Sequence, residues 1–394
     1  MLMNKVLTKH GKLFLYFLFV FIFLSSQICF AQEPTPDVQQ KRAEQIVPLL
    51  DKFITASVKK KGAPGCVIAV VGPKTVYFLK AYGVKKLGKP DLLTTRTLFQ
   101  MGSVSKPLTS TLVMLLEAQN KLSVEAPVTT YLKDFKLQGQ NDPLLIKHLL
   151  SHTSGVPRYG FNALIENSSP REGLFKKAQH TLVTAQPGRS FDYHNVMFSL
   201  IEDVLSASLK QPFEKIMRDN LFKPLKMEYA SIGLQRLKKA ADRATPHIIN
   251  KKGKLIPLKN YSSAYYKVAA AGGVNASMED LIPFLQLQLG GFPKLLPSEE
   301  RSLLHTPQVT EDELPWWLKN QSAHIGKAGY ALGWRWMDYG NERAIFHGGW
   351  VKGFHPMIAF LPEHNIGIII LHHAETSFIL DATFNFLDLY LGFS

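Results

Sequence analysis

Leu98-Phe99-Gln100-Met101-Gly102-Ser103-Val104-Ser105-Lys106 is the stretch on which the fold and the chemistry of this chain turn. An apolar run, Leu112-Val113-Met114-Leu115-Leu116, follows it as the body of a buried helix. A serine and a lysine three residues apart on a helix share one face, so the Lys106 amine can reach the Ser103 hydroxyl and help deprotonate it. The spacing alone is common, and Ser57-Val58-Lys59-Lys60 repeats it on a basic amphipathic helix. Taken alone, Ser103 reads equally as a helix N-cap. Pro107, directly after the lysine, has no N–H for the Ser103 carbonyl, so the first turn must be irregular or begin at about that point.

Two further elements lie downstream. Tyr193-His194-Asn195 follows Gln186-Pro187-Gly188-Arg189 and precedes a helix beginning near Val196, whereas Tyr339-Gly340-Asn341 has the same form in a glycine turn. His347-Gly348-Gly349 ends a short strand, Ala344–Phe346, where glycines let a substrate backbone approach.

Outward from these elements, composition sets the class. The chain has 394 residues, 46% hydrophobic and 20% charged, which excludes collagen-like, low-complexity and wholly disordered classes. Lys5, Lys9 and Lys12 precede an unbroken apolar run, Leu13–Leu24, that is too short for the roughly 20 residues of a membrane span. Cys29-Phe30-Ala31 supplies small residues at −3 and −1 of a cleavage site. Residues 1–31 therefore read as a signal peptide, with the mature start at Gln32 and a retained N-terminal anchor as the alternative. No second span follows, and the protein is expected to be exported, either periplasmic or secreted. The formal charge of +15 becomes +12 when the three leader lysines leave, a balance that favours anionic surroundings such as a cell wall or membrane surface. The pairs Lys85-Lys86, Lys176-Lys177, Lys238-Lys239 and Lys251-Lys252 are scattered along the chain and read as solvated faces, not as a nucleic-acid site. Cys66 is left alone after cleavage, so no internal disulfide forms and it reads as an inert buried thiol.

Residues 32–394 read as one unit without repeats or a linker. A helix is expected over Pro36–Lys61, then a hairpin of Cys66–Val71 and Thr75–Tyr82 around Gly72-Pro73-Lys74. The middle is helical in tone. Short strands return at Ala344–Phe346, Met357–Leu361 and Ile366–Leu371, before a last helix over Thr376–Leu391. The expected fold is α/β (α+β): an antiparallel sheet from N- and C-terminal strands, flanked by helices, with an inserted, mainly helical lobe. The sheet lobe would comprise roughly residues 36–107 and 291–394, the helical lobe roughly 108–290, and a site would sit in the cleft between them.

Taken together and in this order, the three elements resemble the serine β-lactamase and penicillin-binding protein superfamily, most closely its class C branch with the related D,D-peptidases and esterases. His148-Leu149-Leu150-Ser151-His152-Thr153-Ser154-Gly155, Ala271-Gly272-Gly273 and Tyr330-Ala331-Leu332-Gly333-Trp334 also look like stretches of that family, so the resemblance covers nearly the whole mature chain. It implies a β-lactamase/transpeptidase-like fold. It also implies acyl-serine hydrolysis of β-lactam or D-Ala-type peptide amide bonds, with a carboxylesterase on the same machinery or a catalytically poor wall-peptide binder as alternatives.

The resemblance makes Ser103 the acylated nucleophile, Lys106 its proton partner and Tyr193 a second base or acid that activates water in deacylation. Asn195 would hydrogen-bond the substrate amide. The backbone N–H groups of Ser103 and Trp350, past Gly348 and Gly349, would form the oxyanion hole. No metal or cofactor is implied; the partners are a small-molecule or peptide substrate and, as a further candidate, the cell wall. His152 and Ser154 would shape a loop. For Lys106 to act as a base its pKa must drop from about 10.4 to about 7, at a cost of about 4.6 kcal/mol, which demands a closed, dry site. His347 departs from the lysine usual in class C enzymes. Near its ordinary pKa of about 6.5 it would gain charge, and grip a substrate carboxylate, as pH falls. Lys352 is a second candidate for that charge.

Overall fold

The first strand, β1 (Gly65–Val71), is apolar throughout and buried at every position. Its period of two sends Cys66, Ile68 and Val70 into one hydrophobic core and Val67, Ala69 and Val71 into another. It pairs antiparallel with β2 (Val76–Gly83) on one side and with β8 (Ile366–His372) on the other, the latter in the register Ile68↔Ile370. Strands from the N- and C-terminal parts of the chain thus lie side by side in one sheet. With β3 (Val309–Thr310), β4 (Ile325–Tyr330), β5 (Arg335–Tyr339), β6 (Glu342–Gly348) and β7 (Met357–Leu361), the order is β2-β1-β8-β7-β6-β5-β4-β3. The computed structural model describes residues 36–393 apart from 61, 62, 159, 168 and 320; the leader expected over residues 1–31 lies outside them.

Helices cover both faces. Ala43, Ile46, Leu50 and Ile54 form the buried stripe of α1 (Pro36–Lys60), which joins α6 (Phe378–Leu391) on the outer core. On the inner face Leu281, Phe284 and Leu285 of α5 (Met278–Gln288) pack with Leu108 and Leu112 of α2 (Ser105–Glu117) in the larger core. Two short helices, α3 (Asn195–Ser199) and α4 (Ala269–Gly272), complete the part of the fold that builds the site. Asp37–Ser394 form one compact unit. Cys66 is fully buried, which pushes its thiol pKa up and keeps it protonated.

The middle of the chain is less uniformly helical than its composition suggests. His247–Ile249 pairs with Leu255–Pro257, and Phe99–Gln100, Val274–Ala276 and Ser231–Ile232 form a small three-stranded sheet. Strands β3, β4 and β5 were not expected. β4 reads IGKAGY, whose glycines dilute any period-two signal, so pairing with neighbours, not local pattern, makes it a strand. Among the described residues no helix is long and apolar enough to cross a membrane.

Candidate active site

Ser103 lies in a 3₁₀ turn, Gly102–Val104, that runs directly into α2. This is the irregular start that Pro107 imposes, and it places Lys106 one turn below the serine with its Nζ 3.1 Å from Ser103 Oγ. Gly102 has φ +49°, and a Cβ there would fall 2.9 Å from the Trp350 backbone nitrogen and oxygen. A Cβ on Gly349 would fall 2.0 Å from the Met101 carbonyl oxygen. The two glycines therefore allow the serine turn and the end of β6 to lie backbone against backbone, which side chains at either position would prevent.

Lys106 is fully buried. Its Nζ donates to Asn195 Oδ1 at 2.7 Å and to the Ala271 carbonyl at 3.0 Å. The carbonyl is fixed because the first-turn N–H groups of α4, which have no partner within the helix, are held by side chains: Glu202 accepts from Ala270 N–H at 2.9 Å, and Ser199 Oγ from Ala271 N–H at 3.2 Å. Burial, reinforced by the Arg335 cation, holds the Lys106 pKa well below its usual value. Tyr193 enters from the segment just before α3, and its hydroxyl is 2.8 Å from Ser103 Oγ. Burial pushes this phenol up to about 12, although Ser103 and Arg335 pull it down. The two groups flanking the serine are thus driven apart: the amine towards its neutral form, the phenol towards keeping its proton.

The structure brings Ser103, Lys106, Tyr193, Asn195, His347, Gly348, Gly349 and Trp350 into one neighbourhood, and it gives Asn195 and His347 protein partners of their own. Asn195, expected at the substrate amide, is 4% exposed; it accepts from Lys106 and donates from Nδ2 to Asn162 Oδ1 at 2.9 Å. These two bonds hold its amide beside the lysine. His347 reaches the cavity wall but is only 2% exposed. Its Nδ1 is 2.8 Å from the Gly348 carbonyl, which can only accept, so that nitrogen carries the proton and Nε2 accepts from the Tyr330 hydroxyl at 2.8 Å. Burial, Lys106 and Arg335 all push its pKa well below 6.5. A neutral imidazole satisfies both partners, and the expected protonation on mild acidification is corrected by that environment.

The permanent cation is instead Arg335, at the start of β5. Its guanidinium lies 5.3 Å from the Tyr193 ring centroid and 5.2 Å from that of Trp317, and pairs with Glu311 at 3.0 Å. It lines a cavity of about 640 Å³ that also contains Ser103, Tyr193, His347 and Trp350, whereas Lys352 is exposed and is not part of that wall. The sequence reading missed Arg335, Asn162 and the wall residues Trp316, Trp317, Ile379 and Leu380. Arg335 directly follows the family-like stretch ending in Trp334, but no spacing rule marks it. His152 packs its ring 4.2 Å from that of Tyr193 and accepts the His194 N–H at 3.1 Å, supporting the Tyr193 segment from the side. Among the described residues no group of three or more His, Cys, Asp or Glu side chains is arranged to hold a metal ion.

Comparison with known proteins agrees with this geometry. The Beta-lactamase family model matches residues 50–387. Protein flp of Staphylococcus aureus (strain N315) is 25% identical over 344 residues, covering 84% of this chain; the chain spans 64% of the length of that relative. Among solved structures, the octameric penicillin-binding protein homologue from Pyrococcus abyssi superposes with TM-score 0.77 at 24% identity, over 88% of this chain and 77% of its own. EstCE1, described as a hydrolase with promiscuous acyltransferase activity, gives TM-score 0.71 at 17% identity, over 88% of this chain and 98% of its own. A match over so much of the chain, on a fold whose sheet and helices assemble the same three motifs, has one reading: this protein belongs to the Beta-lactamase family.

Proposed function

We propose that this chain is an acyl-serine hydrolase of the class C-like branch, cleaving β-lactam or D-Ala-type peptide amide bonds through an acyl-enzyme on Ser103. The observation that carries this reading is the bracketing of Ser103 Oγ by a buried lysine at 3.1 Å and a protonated tyrosine at 2.8 Å. Neutral Lys106 takes the proton as Ser103 Oγ attacks the substrate carbonyl carbon. The resulting oxyanion is met by the Ser103 and Trp350 N–H groups, a role supported by the close backbone approach at Gly102 and Gly349. The C–N bond then breaks and the leaving nitrogen takes a proton from the Tyr193 hydroxyl, which is replenished from the Lys106 ammonium. In deacylation a water attacks the ester carbonyl carbon, giving up its proton through Tyr193, and the acyl C–O bond breaks as Ser103 regains its own. A substrate carboxylate would meet Arg335, the cation of the cavity wall, and not His347.

A carboxylesterase on the same machinery is the second reading. Trp350, 43% exposed at the oxyanion strand, narrows the cleft in a way that favours esters over bulky bicyclic amides. Export to the periplasm or beyond belongs to the same proposal and is checked by fractionating cells that express the full chain.

The test is a panel on the purified protein and its Ser103→Ala variant: a chromogenic cephalosporin, a D-Ala-D-Ala peptide and a short-chain nitrophenyl ester. Turnover of lactam or peptide that disappears in the variant supports the first reading. Turnover of the ester alone transfers support to the second, and no turnover on any substrate removes both.

A further inference from the structure

Beside the proton-transfer groups and the polar side chains of Gln321, His355 and Ser377, the cavity has a wall of apolar side chains, none of which takes part in the mechanism above. Trp316, Trp317, Met357, Ile379 and Leu380 line it together with Trp350. Three features distinguish it from a section of core that merely faces a hole. Trp316 is 84% exposed, so one of the three indoles of the cavity is left without covering. Trp317 and Leu380 are anchored on one side, packing against the outer core, and keep their other side for the cavity. Finally, charge is scarce: among the described residues that line the cavity none is a carboxylate, and Arg335, whose side chain is 14% exposed, is the one guanidinium or ammonium group. His355, also on the wall, hydrogen-bonds the Thr376 carbonyl at 3.3 Å.

The surface is continuous with Ser103 within one cavity, so what covers it during turnover is the substrate attached to that serine. We propose that this wall is a subsite for an extended apolar group, an alkyl chain or aryl ring carried by the acyl or leaving side of the substrate, and that the preferred substrates are lipophilic esters or amides. The inference rests on the acyl-serine reading and narrows it. Water expelled from between the chain and the tryptophan faces supplies the binding energy, and the rigid aromatic walls lose little side-chain entropy in the process. Because the wall is preformed, the gain shows in kcat/KM with each added carbon until exposed Trp316 is reached.

Two homologous series test this: nitrophenyl alkanoates from acetate to decanoate, and acetate esters of alcohols from methanol to octanol, each below its aggregation concentration. Full burial of a methylene is worth about fourfold, the equivalent of about 0.8 kcal/mol, so partial burial should raise kcat/KM at least about tenfold between two and eight carbons in one of the series. Trp316→Ala, which removes an exposed side chain and so leaves the core intact, and Leu380→Ala should each flatten that rise. The readout is the long-to-short substrate ratio within each variant, which a uniform loss of activity does not move. Labelling of Ser103 by a fluorophosphonate is measured in parallel. Labelling with no length dependence in either series, or a rise unaffected by both variants, overturns the apolar subsite while leaving the acyl-serine reading in place. Absence of both labelling and turnover overturns the acyl-serine reading and the subsite with it.

Discussion

Adding one methyl group at Gly349 should disable catalysis without unfolding the protein, whereas the same change at Gly348 should do little. At Gly349 the new Cβ would sit 2.0 Å from the Met101 carbonyl oxygen and 3.0 Å from Pro356 Cγ. Relief of the first contact requires the end of β6 to move by about 1 Å away from the serine turn, carrying the Trp350 N–H with it. Misplacement of that size can cost about 10²-fold, and loss of one oxyanion donor about 10²–10³-fold in kcat, so Gly349→Ala should fall in that range. Overpacking of this kind costs about 1–3 kcal/mol of stability, a tolerable loss in a protein with two large cores. At Gly348 the new Cβ would meet only the flexible end of Met357, its Cε at 3.2 Å, which can rotate aside. Steady-state hydrolysis of the best substrate, with thermal melting of both variants, measures the contrast. If Gly349→Ala keeps its rate within about threefold of the parent, or if both variants lose activity equally, the backbone contact does not position the oxyanion donor.

Other consequences follow from the same geometry. Lys106→Met should lower acylation by orders of magnitude, while Tyr193→Phe should slow turnover with an unchanged melting temperature; near-parental rates in Tyr193→Phe would remove the phenol from proton transfer. Activity should fall as pH drops through the depressed Lys106 pKa, because the ammonium cannot accept the serine proton, and removing the Arg335 charge with Arg335→Met should shift that acid limb to higher pH. Since burial keeps His347 neutral, penicillin and neutral-ester profiles should coincide between about pH 6 and 7.5, and a selective gain for the anionic substrate on acidification would restore His347 as the carboxylate contact. Asn162→Ala frees one end of Asn195, and pre-steady-state acylation should slow about tenfold as Lys106 loses its fixed partner; an unchanged rate would mean that Asn195 needs no such support.

That Ser103, Lys106 and Tyr193 belong to one neighbourhood was legible because each lies in a local pattern: the run from Leu98 to Lys106 and the Tyr193-His194-Asn195 triplet before a helix. The hairpin of β1 and β2 was legible for the same reason, since period and turn residues sit within one short segment. What escaped depends on what stands opposite in space. Nothing around His347 in the chain says that Tyr330 and the Gly348 carbonyl occupy its two nitrogens, so its titration could be judged only from its ordinary pKa. Arg335 becomes the cation of the site because β5 pairs with β6 and sets it over Tyr193 and Trp317, a placement made by sheet register. Trp316 and Trp317 lie in no local pattern that marks them, and they join the site only because the cavity places them beside Ser103.

The central claim, that Ser103 is a nucleophile made reactive by Lys106, is tested most directly by intact mass and peptide mapping after brief exposure to a fluorophosphonate. The account predicts one adduct per chain, mapped to the peptide containing Ser103, absent in Ser103→Ala and formed far more slowly in Lys106→Met. Modification at Ser57, at any other residue, or at the parental rate in Lys106→Met would contradict it.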